Sequence, residues 1–184
     1  MKLSLRLTVL TLLITSCGSE VEHSQIKIPT KDSISQKTIN HVSNGFIGAS
    51  EDPIVLRTDF SDDKEWEIIC REIKTPDPEL GFLAYVSFVN DTAFRGYQEK
   101  DLLEIRLQKY KHYFIFFVDE ETIKNKEHPI LCIGLHANSG LKFRTVPSEM
   151  WGVENNLSLS NMDFEEFVNA VDSDGVFRGF KKPK

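Results

Sequence analysis

The chain of 184 residues contains only three cysteines, at positions 17, 70 and 132, too few for a disulfide-dense small scaffold. It has no surplus of positive charge. Its 22 basic and 28 acidic side chains give a net −6, so a nucleic-acid role lacks the basic patch that phosphate binding requires. It also lacks an apolar run of about 20 residues, the length a permanent membrane-spanning helix needs. The sequence shows no nucleophile elbow, phosphate-binding glycine loop, dinucleotide fingerprint or zinc motif. The histidines do not cluster: His112 precedes one expected strand, while His128 and His136 flank the next at opposite ends. No metal or cofactor is therefore expected. What the chain does have is apolar mass. The hydrophobic share is 40%, with 13 phenylalanines, enough to close the core of one domain and too much for a disordered chain.

The amino end carries its own signal. Lys2 and Arg6 form a positive segment, and Leu7 to Ile14 follow as a short apolar run, the length of a signal-peptide core. Ile14-Thr15-Ser16-Cys17 then resembles a bacterial lipobox: an aliphatic residue, two small residues and the cysteine that takes the lipid. The resemblance implies cleavage after residue 16, a thioether-linked diacylglycerol on Cys17 and an acyl chain such as palmitate on the new amino group. Two or more acyl chains hold a protein stably at a membrane, whereas one holds it only marginally. Gly18 after the cysteine implies, by enteric-type sorting, onward transport to the outer membrane. The expected location is the bacterial cell envelope: the outer membrane in a Gram-negative cell, otherwise the outer face of the plasma membrane. Removing Lys2 and Arg6 leaves 20 basic against 28 acidic groups, a balance of −8. Anionic lipid surfaces repel such a body, so the lipid is the expected membrane contact.

Residues 17–52 are polar, and their isolated Ile and Val residues follow no sustained period. They read as a flexible tether reaching roughly 30 Å on average as a coil. The body is expected over 53–184. Ile54 to Thr58 reads as a strand. Asp62, with Glu65 three residues on, caps a helix whose core stripe is Trp66, Ile69, Cys70 and Ile73, stopped by Thr75-Pro76-Asp77-Pro78. Further strands are expected at Leu83 to Val89, Tyr113 to Val118, Ile130 to Leu135 and Lys142 to Val146. A second helix is expected over Gln98 to about Gln108 and a helical turn over Glu120 to Lys124. A polar loop runs from Pro147 to Ser160. A final helix spans Met162 to Val171, with Ser160 or Asn161 as its cap and Phe164, Phe167, Val168 and Val171 as its buried stripe. The order favours an α/β domain of three layers: a mostly parallel sheet with a hairpin at one edge and a C-terminal amphipathic helix. Cys70 and Cys132 each lie on an apolar face, as buried thiols or, after export, as a bridge if their Cβ atoms approach.

The body also resembles a family of small, mostly bacterial proteins known only as a domain of unknown function. The resemblance rests on RTDFSDD (Arg57 to Asp63) with Trp66, on FVNDTAFRG (Phe88 to Gly96), on EHPIL (Glu127 to Leu131) and on the long stretch from Phe143 to Phe180. It covers about residues 54–180. It implies a compact α/β domain and brings no activity, substrate or catalytic residue.

Two groups of residues are candidates for function. Ligands of open α/β sheets bind beyond the carboxyl ends of the strands. There the sequence places Asp59, Asp62 and Asp63, then Asn90 and Asp91, then Asp119, Glu120 and Glu121. Asp59, Asp63 and Asp119 could converge on a hard divalent cation, as in phosphate-transfer receiver domains, though Asp and Asn after strands also serve as helix caps. The Pro147 to Ser160 loop offers Glu149, Trp151, Glu154, Asn155, Asn156 and Ser158, an aromatic among carboxylates and amides suited to a sugar, a cationic group or a peptide. The alternative is that Trp151 plugs the core and the polar groups satisfy loop backbone. With no catalytic signature and a lipid anchor, the expected function is a non-enzymatic binding module for a protein or small ligand. The other reading is a divalent-cation-dependent enzyme acting on phosphate or sugar substrates.

Overall fold

The structure, a computed structural model, describes residues 46–47, 50–103, 106–107, 110–138 and 140–181. The expected signal segment (1–16), Cys17 and the tether up to residue 45 lie outside the described residues. Within the expected tether, β1 (Phe46–Ile47) pairs in parallel with β4 (Arg106–Leu107) as a small separate sheet.

The main sheet is built by β2 (Ile54–Arg57), β3 (Ser87–Val89), β5 (Phe114–Val118), β6 (Ile130–Gly134), β7 (Lys142–Thr145) and β8 (Val176–Phe177), in the order β3-β2-β5-β6-β7-β8. Neighbours pair in parallel except across β5–β6 and β6–β7, so β6 alone runs against the other five. The β5 sequence FIFFV is buried at every position, as its unbroken apolar run requires of a central strand. Register sorts the side chains by face. Val55, Phe116, Cys132 and Phe143 lie opposite one another across four strands and belong to one apolar cluster, while Leu56, Phe117 and Leu131 belong to the other.

Helices cover the first face. The helix α1 (Asp63–Ile73) buries Trp66, Ile69 and Ile73, with Cys70 half-buried. Asp62 is its N-cap, its carboxylate accepting from the amides of Lys64 and Glu65 at 2.9 and 3.0 Å. Beside it lie α3 (Met150–Ser158), through Met150, Val153 and Leu157, and α4 (Phe164–Ala170), through Phe164 and Phe167. Each fully buried large apolar side chain contributes roughly 1.5–3 kcal/mol. The opposite face is covered by an irregular segment that inserts Phe94, with Tyr97 and Tyr110 against it. Three layers result.

Several expectations are corrected. The stretch from Gln98 is one short 3-10 helix at Glu99–Leu103 followed by β4, with no α-helix among its described residues. The loop from Pro147 to Ser160 is a 3-10 turn (Pro147–Glu149) running into α3, which ends where Ser160 takes a left-handed conformation (φ 55°). The cap of α4 is Asp163 rather than Ser160 or Asn161, and its amide donates to Glu166 at 2.8 Å. Only Ser87–Val89 of the expected strand at 83–89 is paired. The β6–β7 hairpin is not the sheet edge, because β8 adds outside it. The helical turn at Glu120–Lys124, here α2, forms as expected.

Candidate functional site

Five strands point the same way, so their carboxyl ends share one rim, the place where α/β folds recruit ligands. The acidic residues expected there do lie on it, and each has a partner. Arg57, 2% exposed at the end of β2, donates from Nε to the Asp59 carbonyl (2.8 Å) and from Nη1 to Asn90 Oδ1 (3.3 Å). Its Nη2 donates to the Asp62 carbonyl (3.2 Å) and pairs with Asp63 (2.8 Å). Its guanidinium also lies 4.4 Å from the Phe60 ring centre. The Asp59 carboxylate accepts from the Ser61 amide (2.8 Å) and hydroxyl. Asp91 caps the 3-10 turn Thr92–Phe94 through the Ala93 amide (2.7 Å).

Asp119 is the N-cap of α2, accepting from the Thr122 amide (3.0 Å) and hydroxyl (2.9 Å). It also meets Arg144 of β7 through two nitrogens at 3.1 and 2.6 Å. Burial pushes the Asp119 carboxyl up, but Arg144 and Thr122 together outweigh it and hold the group below its ordinary value. Glu121 reaches the same guanidinium at 2.9 Å, and Glu120 pairs with Lys124. Asp59 and Asp119 line one cleft of about 580 Å³ together with Lys142 and Arg144, while Asp63 is turned to Arg57. Among the described residues no three His, Cys, Asp or Glu side chains are grouped to hold a metal ion.

The second candidate group divides. Glu154 faces inward, 6% exposed, and accepts from the Tyr85 amide (3.2 Å) and the Ser158 hydroxyl (2.8 Å). It therefore positions the chain at Tyr85. Asn156 donates to the Gly152 carbonyl (2.8 Å), and Asn155 is exposed on α3. Trp151 is half-buried, its ring centre 5.4 Å from that of Phe82, and its indole N–H is buried with no acceptor among the described residues. Glu149 lies at the start of α3, its carboxylate close against Gly179, and burial followed by the nearby Asp77 pushes its carboxyl above the ordinary value.

The sequence reading missed the segment opposite. Leu80 (57% exposed), Phe82 (57%) and Tyr85 (69%) form an uncovered apolar ridge before β3. Ala84 and Val86, on either side of Tyr85, are buried, an alternation that Leu83-Ala84-Tyr85-Val86 carries in the sequence. Lys74 Nζ donates to the carbonyls of Ala84 and Val86 at 3.4 and 3.1 Å and so holds the segment that leads into β3.

A family model described as a domain of unknown function (DUF6924) matches residues 52–180, from just before β2 to just after β8. The chain belongs to that family. A comparison with curated proteins finds no match. The DUF6924 domain therefore holds the four α-helices of the described residues, the carboxyl-end rim and the apolar ridge. Its two body cysteines, Cys70 and Cys132, are free thiols.

Proposed function

We propose that the protein is a bacterial lipoprotein anchored at the envelope through Cys17, and that its DUF6924 domain is a non-enzymatic binding module for a protein partner. One observation carries the binding reading. The strand-end carboxylates are engaged by arginines and helix caps, whereas Leu80, Tyr85 and Phe82, the last against Trp151, remain more than half exposed. Removing an exposed apolar group from water is favourable by roughly 25 cal/mol per Å², so such a ridge is a contact surface in waiting. The anchor rests on the charged segment, apolar run and lipobox at residues 1–17, all in one register.

The test places a photo-crosslinking amino acid at position 82 of the full chain in intact cells, with the same group at Lys64 on the far end of α1 as a control. A discrete adduct at 82 and none at 64 is expected. Indistinguishable adducts, or metal-dependent turnover abolished by Asp119→Asn, would contradict the binding reading.

A further inference from the structure

We propose that the cleft between the Thr75–Pro78 turn and the Pro147–Glu149 turn receives a lysine or arginine side chain of a protein partner, whose flanking apolar residues lie on the Leu80, Phe82 and Tyr85 ridge. The inference rests on the binding reading above and names the partner's chemistry.

The cleft has a volume of about 570 Å³, and Pro76, Pro78, Val146 and Pro147 give it apolar walls suited to the methylene stem of a long cationic side chain. The other acids that line it have partners. Glu72 holds His128 (2.6 Å), Glu127 holds Arg178 (2.7 Å), and Asp77 accepts from the amides of Glu79 (2.9 Å) and Leu80 (2.7 Å). Glu149 differs: among the described residues its carboxylate has neither hydrogen bond nor ion pair. The two cations in the wall do not relieve it. Arg178 is committed to Glu127, Asp172 and Asp174, and Lys126 makes no ion pair with it. A half-buried carboxylate held near a second acid gains from any cation that enters; burial and then Asp77 push the Glu149 carboxyl above its ordinary value.

The cleft adjoins the ridge along the chain. Asp77 and Pro78 in its wall lead directly into Leu80 and Phe82, and Phe82 meets Trp151, two residues beyond Glu149. The chain's net −6 favours approach by a basic segment over an acidic one. A positive residue flanked by apolar ones is thus the partner sequence that fits both parts.

The test uses the full chain in detergent and calorimetry with three short peptides: Leu-Lys-Phe, Leu-norleucine-Phe and Leu-Glu-Phe, each blocked at both ends. Norleucine keeps the stem of lysine and lacks the ammonium. The lysine peptide is expected to bind about tenfold or more tightly than the norleucine peptide. Glu149→Gln should erase that preference, Glu149→Lys should transfer it to the glutamate peptide, and Phe82→Ser should weaken lysine and norleucine peptides alike. Equal binding of lysine and norleucine peptides, or a lysine preference that survives Glu149→Gln, would overturn the cationic partner and leave the binding reading standing. Absence of binding by all three would also overturn it, while the crosslink at position 82 decides the broader reading separately.

Discussion

At the scale of single residues, the fold depends on a few side chains that reach far along the sequence. His128, 5% exposed and with φ of 46°, places Nδ1 2.6 Å from Glu72 and Nε2 2.7 Å from Glu65, so one ring ties the entrance of β6 to two turns of α1. Arg144 does the same between β7 and α2. The depressed carboxyl of Asp119 stabilises the fold fully above its ordinary value of 3.8, and that contribution is lost as pH falls below it. Arg144→Met should therefore lower stability by about 2 kcal/mol in urea titrations at pH 7, with the gap to wild type narrowing below about pH 4. Gly134 is fixed by space: a Cβ there would stand 2.3 Å from the Asn138 carbonyl oxygen, where the hairpin folds back. Gly134→Ala should cost about 1–3 kcal/mol by thermal unfolding. Burial pushes the Cys70 thiol up to about 12 and the Cys132 thiol up as well. Neither should react with iodoacetamide at pH 8 until the chain is denatured. None of these pairings is legible in sequence, because the partners of His128 lie 56 and 63 positions away and nothing local marks them.

At the scale of elements, what could be read was what local pattern determines. Asp62 announces α1 through its cap and the Trp66, Ile69, Ile73 stripe, and FIFFV announces a buried central strand. The α3 sequence, MWGVENNLS, contains a glycine and two asparagines, weak helix formers, and is held by burying Met150, Val153 and Leu157 against the sheet. A two-residue strand such as β8 is too short for any period to show. The candidate acids were legible as residues after strands, but the arginines that engage them come from other elements. Of the ridge, only Tyr85 falls within the expected strand at Leu83 to Val89; Leu80 and Phe82 precede it in a stretch with no period of its own. Glu154 links α3 to that ridge through the Tyr85 amide. Glu154→Leu should leave the amide unpaired, and amide hydrogen exchange should show residues 82–86 opening faster while the β5 core stays protected.

At the scale of the whole molecule, the proposed arrangement is an acidic binding domain moored by lipid. In that arrangement the body's negative charge would oppose contact with anionic headgroups, position would depend on Cys17, and the exposed ridge would be left for a partner. Cys17→Ala should move the protein from the membrane to the soluble fraction or leave an unprocessed precursor, read by fractionation and immunoblot. The most direct measurement is the intact mass of the native protein extracted from membranes. A chain beginning at residue 17 and carrying the added mass of a diacylglycerol is the expected result. A chain still beginning at Met1, or one beginning at residue 17 with a bare thiol, would contradict the account.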